Sequence, residues 1–443
     1  MNNRYRFFIM SLIIFINIVN YVDRGAISYA SEYFISEYHL TTEGWGQVLG
    51  FFGYGYIFGA LLGGILVDKL GPKLVWILAA CGWSIFVALT PFAGQISIEI
   101  FGGSALFGLA VVRIMFGLAE APFGTAGIRS MANWTAPRER AFANSIGVVG
   151  VPIGALLTAP VAVGLLSIAS YKMMFVILGA IGIVWAIIWS KVFTNRPEDN
   201  KKVTSLELAA IRSREGLLEN EITIDESEKE HIPWYTFFKN PTLIFNALGW
   251  FCGTYIAFVI LTWTPKYLMD TFNYGLSSLW YLGMIPWIGA VFTIVLGGKI
   301  SDKLKSKTGS LKIARSGLTA FSYFCTAVCF ILTLNANSAA IVILLMCVGN
   351  AFNFLSVGIH WTVIVDTAPS KIGTFGGMTQ FIQSTASILG PTLTGILVAS
   401  NGYTAMFIGA AVAALLGSVA MLFVNPRKKP AVSKPMKSLT VNE

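Results

Sequence analysis

Four charged residues stand well inside long apolar stretches. Asp23 and Arg24 lie within 7–30, and Arg113 and Glu120 lie within 99–125. On insertion scales each costs about 2.5–3.5 kcal/mol when it faces lipid, so four cost roughly 10–14 kcal/mol. That is comparable to the whole stability of a domain, about 5–15 kcal/mol. They must therefore face an interior cavity, pair with one another, or both. The two carboxyl groups can bind and release protons. The two guanidinium groups present a planar fork that matches a carboxylate. Arg113 and Glu120 are seven residues apart, which puts them on one face of a helix, where their groups could meet. Asp23 and Arg24 are adjacent and point about 100° apart, so one can face a cavity while the other reaches a neighbouring helix. Two static salt bridges are the structural alternative. A well-packed apolar pair is often as stable as such a bridge, which argues against it.

These charges need elements that hold them in a bilayer. Of the 443 residues, 55% are hydrophobic and 12% charged, where soluble chains average about 25% charged. Mean hydropathy is +0.69. Cytosolic enzymes, nucleic-acid binders and disordered scaffolds do not look like this. Twelve stretches are long enough to cross a membrane: 7–30, 46–67, 74–94, 99–125, 141–166, 173–193, 242–263, 277–298, 314–334, 338–364, 374–399 and 402–424. With the N-terminus inside, 27 of the 31 basic residues fall on the inner side, and only Lys172 and Lys266 lie in outer loops. The net charge of +9 is thus a topology signal. Both termini are expected in the cytoplasm. The N-terminal stretch lacks a small-residue cleavage pattern and reads as a retained first span. The five cysteines all fall in apolar runs, without metal-type spacing, and imply no disulfide framework.

The expected fold is an all-α membrane protein of twelve transmembrane helices in two pseudo-symmetric six-helix bundles. The first bundle covers 1–193 and the second 241–424. A mixed-charge cytoplasmic linker, 194–240, joins them and is expected to hold a short amphipathic helix from Ser205 to Leu218. A cytoplasmic tail runs from 425 to 443. An internal repeat supports the division. Gly64-x-x-x-Asp68-Lys69-Leu70 follows the second stretch, with Gly71 just beyond, and Gly298-x-x-x-Asp302-Lys303-Leu304 follows the eighth, 234 residues later. Glycine lets helix ends approach closely, and the aspartate can cap a helix or pair with a base. Two such loops in register describe a gate that closes one side of the membrane and releases it during alternating access. Gly55, Gly59 and Gly63, four apart, suit close helix contact rather than binding.

The paired loops, Pro137-Arg-Glu-Arg-Ala141 and Arg113-x-x-x-Gly117-x-x-Glu120-Ala-Pro122 resemble motifs of major facilitator superfamily transporters. Asn20-Tyr21-Val22-Asp23-Arg24 is similar to the anion:cation symporter family within it, whose members take up sugar acids and other organic anions with protons. The resemblance implies that Asp23 and Glu120 carry protons, that Arg24 binds the substrate carboxylate and that Arg113 assists. It implies further substrate contacts at Tyr21, Tyr56, Trp361 and Gln380, and Asn353, an amide in the tenth stretch, is a further candidate to bond a substrate hydroxyl. His360 stands where related sugar-acid carriers have a small hydroxyl residue. It is read either as a neutral, hydrogen-bonded core residue or as a functional one, a partner for a substrate hydroxyl or a third titrating group. Val151 replaces a polar side chain of some relatives, which suits a smaller or more apolar anion. Asp366, near the end of its stretch, is expected to cap or pair locally. Asn133-Trp-Thr135 spells a glycosylation sequon, but on the cytoplasmic side it should be silent.

The leading expectation is a proton-coupled importer of an organic anion, with a hexuronate, aldonate or aldarate in first place. It would work as a monomer in the plasma membrane with protons as its coupling ion and no cofactor or metal. An exporter or exchanger of organic anions or drugs is the second reading, and a membrane receptor the third. A membrane enzyme lacks support, because no metal cluster, Ser–His pairing or phosphate loop is present in the sequence.

Overall fold

The computed structural model describes residues 5–136, 140–212, 234–368 and 371–426, with backbone alone at 140–148. The tail from 427, the middle of the linker and the Pro137–Ala141 motif's first three residues lie outside them. The described chain is helical, without strands. Ten helical segments are long and apolar enough to cross a membrane. Two of them, Thr42–Phe101 and Ile372–Phe423, are 60 and 52 residues long, too long for a single crossing. Each is broken by one glycine with left-handed backbone, Gly71 (φ +76°) and Gly402 (φ +70°). A side chain there would strain the turn. Counting each as two gives the expected twelve spans.

Span 1 is Tyr5–Tyr29, spans 2 and 3 are 42–70 and 72–101, span 4 is Ala105–Trp134, span 5 is Arg140–Ile168 and span 6 is Tyr171–Val192. Spans 7 to 10 are Pro241–Phe272, Leu276–Thr308, Lys312–Thr333 and Ala339–Thr367, and spans 11 and 12 are 372–401 and 403–423. Span 4 starts later than its hydropathy suggests. Gly102 turns the chain with φ +60°, and Ser104 then caps the helix by accepting from the Phe107 N–H at 3.2 Å. Of the linker helix, Ser205–Arg212 is described; it is tied to span 1 by Glu207, which accepts from the Arg6 N–H at 2.8 Å.

Apolar side chains such as Phe58, Phe101, Phe292 and Leu416 are exposed on the outside of the bundle, as lipid contact requires. Within the first half, span 2 lies against span 4 through its glycines. A Cβ on Gly59 would come within 2.5 Å of the Leu118 carbonyl oxygen, and one on Gly63 within 2.9 Å of Pro122. That carbonyl is free to face Gly59 because Pro122, four residues on, has no N–H to donate to it. The glycine spacing read from the sequence is thus a close helix contact, and it fixes the level of Glu120.

A second glycine row on span 2 joins the two halves. A Cβ on Gly46 would meet Gly395 of span 11 at 2.8 Å, and one on Gly53 would meet Ser387 at 2.5 Å. Gly283 of span 8 similarly lies against Tyr29 and Ala159. These contacts lie at the end of the bundle away from the Asp-Lys-Leu loops. At the loop end, Gly64 and Gly298 border open space, and Asp68, Lys69 and Lys303 are exposed. The close approach expected at those two glycines is absent from this conformation.

Candidate functional site

Span 1 carries Asp23 and Arg24 on its second half, both buried, at 1% and 5% exposure. Glu120 sits at the end of a helical segment of span 4, just before Pro122, with no exposed surface, and Arg113 is 3% exposed. The structure brings Arg24 and Glu120 together in a buried ion pair. The expectation that Arg113 meets Glu120 is corrected here. Seven residues advance a helix by roughly 10 Å along its axis, whereas Arg24 arrives from a neighbouring span at the level of Glu120. Arg113 instead lies over the rings of Phe116 (5.2 Å) and Phe52 (5.5 Å).

The Arg24 guanidinium is caged by aromatic faces. Tyr21 and Phe52 are each 4.7 Å away, Tyr56 is 5.0 Å away, and Phe258 of span 7 reaches it across the halves at 5.8 Å. Such contacts are worth about 0.5–2 kcal/mol each when desolvated. Phe52 and Phe258 are members of the site that sequence reasoning missed. Phe52 stands one turn from Tyr56, and that spacing was the one available signal.

Several buried polar atoms lack a hydrogen bond of good geometry: both Asp23 oxygens, which have Trp83 as a neighbouring donor, Glu120 Oε2, which has Asn20, and Nε of Arg24 and of Arg113. A buried polar group left unpaired costs about 1–3 kcal/mol, more when charged. Concentrating so many at one place makes a centre that gains free energy by binding a proton or an anion.

Of the second half, Phe258 is the residue that reaches the Arg24 cage. Trp361 and Gln380 are half-buried, and Asn353 is buried, donating to the Gly253 carbonyl at 3.0 Å while its Oδ1 is unpaired. Gln383 accepts from Thr254 at 2.6 Å. His360 is placed differently. It has no exposed surface, and both ring nitrogens are occupied, by Asn246 at 2.9 Å and Tyr323 at 2.8 Å. The core reading holds in this conformation, and the ring offers no free nitrogen to a ligand.

The gate loops are held by residues that the motif did not name. Asp302 pairs with Arg315 at 2.9 Å, and Asp366, as expected of a local pair, meets the same guanidinium at 3.0 Å. Arg315, at the start of the stretch 314–334, is 4% exposed. In the first half Asn195 does the holding. Its side chain accepts from the Lys73 N–H at 2.9 Å, and its carbonyl accepts from the Asn133 amide at 2.9 Å. The sequon's amide is therefore engaged.

Among the described residues no cluster of His, Cys, Asp and Glu suits a metal. The five cysteines are free thiols. Two six-span halves, joined at one end and holding opposite charges at their centre, are the architecture of a multi-pass membrane transporter. The chain belongs to the Major Facilitator Superfamily, which it matches over residues 13–391. It is 30% identical over 424 residues to the hexuronate transporter of Bacillus subtilis strain 168, covering 94% of this chain and 93% of that one. It is also 30% identical over 426 residues to a probable sulfoacetate transporter of Cupriavidus necator, covering 95% and 94%. The fold is similar to a solved bacterial homologue of the human lysosomal transporter Spinster, crystallised inward-facing and occupied. The TM-score is 0.73, with 16% identity and 96% and 97% of the chains covered. The protein is a transporter and not an enzyme.

Proposed function

We propose that the chain imports an organic anion, in first place a sugar acid, together with protons. One observation carries this reading: Arg24, the cation best shaped to hold a carboxylate, is already held by Glu120 inside an aromatic cage. Substrate carboxylate and Glu120 compete for one guanidinium. A proton on Glu120 releases Arg24 to the substrate, and loss of that proton restores the ion pair and expels the substrate. Asp23, buried near Trp83 and in no ion pair among the described residues, is the second proton carrier. Arg113 helps by biasing Glu120. Tyr21 and Tyr56 flank the carboxylate, and Trp361, Gln380 and Asn353 face the rest of the molecule. The proton is the coupling ion, and no cofactor takes part.

The distribution of basic residues supports a carrier in the plasma membrane with both termini in the cytoplasm. The Asp-Lys-Leu loops then mark the inner gate, which exposed Asp68 and open Gly64 and Gly298 describe as open. The likeness to a probable sulfoacetate transporter supports a smaller anion, sulfoacetate, as the alternative. The test is uptake into proteoliposomes with an alkaline interior, using labelled glucuronate, galactonate, glucarate and sulfoacetate. Accumulation of one of the three sugar acids above its outside concentration is expected. Accumulation of sulfoacetate alone moves the substrate to the smaller class, and accumulation of none contradicts the proposal.

A further inference from the structure

His360 is a buried titratable group that the proton switch above leaves unused, and its surroundings give it a different task. Span 10 is interrupted at Ser356, between helical segments Ala339–Leu355 and Val357–Thr367. His360 lies one turn beyond that break. The Asn246 amide donates through Nδ2 to the His360 carbonyl at 3.1 Å, so its Oδ1 faces the ring and must accept from Nδ1–H at 2.9 Å. With the proton on Nδ1, Nε2 is an acceptor and takes the Tyr323 O–H at 2.8 Å. The tautomer is thereby fixed. Ser356 at the break lies 3.2 Å from the same Tyr323 oxygen and donates to the Asn353 carbonyl at 2.7 Å. One imidazole thus ties the break in span 10 to span 7 through Asn246 and to span 9 through Tyr323.

The ring also stacks on Trp250, with centroids 5.4 Å apart and planes 5° apart. Trp250 in turn meets Trp361 edge to face at 5.5 Å. On its other side Trp361 is confined by span 11, where a Cβ on Gly376 would come within 2.7 Å of its ring. Among the described residues the ring contacts of His360 are Asn246, Trp250 and Tyr323, none of them charged.

We propose that His360 is a positioning residue, held neutral as the Nδ1–H tautomer, that fixes the break in span 10 and through Trp250 sets the orientation of Trp361. It touches neither the anion nor the proton. The proposal rests on the reading that Trp361 lines the anion site.

Two measurements test it. Nitrogen-15 spectra of histidine-labelled protein should show one histidine, absent from His360→Gln, in the Nδ1–H form and unmoved from pH 5 to pH 8. A signal that titrates there, or the opposite tautomer, overturns the proposal. Glucuronate uptake into proteoliposomes is the second measurement. His360→Gln and Tyr323→Phe should each raise the half-saturating concentration several-fold, with the maximal rate within twofold and the pH profile unmoved. The double variant should be no worse than the worse single, because both break one network. Tyr323→Phe removes a single O–H and keeps the test open should His360→Gln not fold. Unchanged half-saturation in both overturns the positioning role, as does a shifted pH profile. Arg24→Lys separates the two readings. If it weakens uptake while the His360 and Tyr323 variants do not, this inference alone fails. If Arg24→Lys also behaves as wild type, the anion-site reading fails with it. Should wild type not take up glucuronate, the nitrogen spectra alone decide.

Discussion

Glu120→Gln imitates a permanently protonated Glu120 and leaves Arg24 without its ionic partner. In the wild type an incoming carboxylate must first displace Glu120 from the guanidinium. Removing that competitor returns to the substrate a charge-assisted hydrogen bond, about 1.5–3 kcal/mol. At 1.4 kcal/mol per factor of ten, that tightens binding by roughly 10- to 150-fold. The free protein should lose stability, because breaking a buried ion pair on one side costs about 3–5 kcal/mol. The four rings around Arg24 offset part of that loss. Saturating ligand should restore much of the melting temperature, since binding to the folded state stabilises it by mass action. The assay is calorimetric titration of glucuronate into detergent-solubilised protein at pH 6 and pH 8, in buffers of different ionisation enthalpy. Wild type should bind more weakly at pH 8 and take up protons on binding. Glu120→Gln should bind tighter than wild type, with the difference largest at pH 8 and with fewer protons taken up. Its proteoliposomes should exchange substrate but not accumulate it against a gradient. Weaker binding in Glu120→Gln, or an unchanged proton count, refutes the competition for Arg24.

Arg24→Lys keeps the charge and loses the fork, and its affinity should fall by an amount on the order of 1.5–3 kcal/mol, read by the same titration. Asp23→Asn should abolish gradient-driven accumulation while leaving counterflow exchange; undiminished uphill uptake would assign Asp23 to packing. With two acids carrying protons, a monovalent substrate brings in one net positive charge. An inside-negative potassium potential set with valinomycin should then raise uptake at equal pH, with about 2.3 kcal/mol per charge per 100 mV available. At the far end of the bundle, burial would raise the Glu37 carboxyl, but hydrogen bonds from Lys172 and Tyr171 hold it below the usual range. A depressed carboxyl contributes stability above its unfolded value, near pH 4.3, and loses it as pH falls through the folded one. Glu37→Gln should therefore melt below wild type at pH 7, with the gap closing under about pH 4.

The charges at the centre were legible because they stand far from the ends of spans 1 and 4, unlike Arg6 and Arg129, and insertion energetics leaves them only an interior place. Their pairing was not. Helical spacing shows which residues share a face on one span, and it put Arg113 with Glu120. It is silent on which neighbouring span delivers a competing side chain, and Arg24 was that competitor. The glycines of span 2 show the same limit. The row at 55, 59 and 63 was read as a helix contact. The row at 46, 50 and 53, which joins the halves, needed the partner span to be seen. Phe52 and Phe258 are two of 32 phenylalanines in an apolar chain, and composition does not single them out. Arg315 lies at a span boundary among lysines and reads as a loop base until its two aspartates are found. Asn195 belongs to no pattern at all.

Proton movement tied to substrate tests the account most directly. Proteoliposomes loaded with a pH-sensitive dye, at equal pH inside and out, receive glucuronate from the outside. The interior should acidify as the substrate enters, faster under an inside-negative potential and not at all in Glu120→Gln. Entry of labelled substrate with no change in interior pH contradicts it.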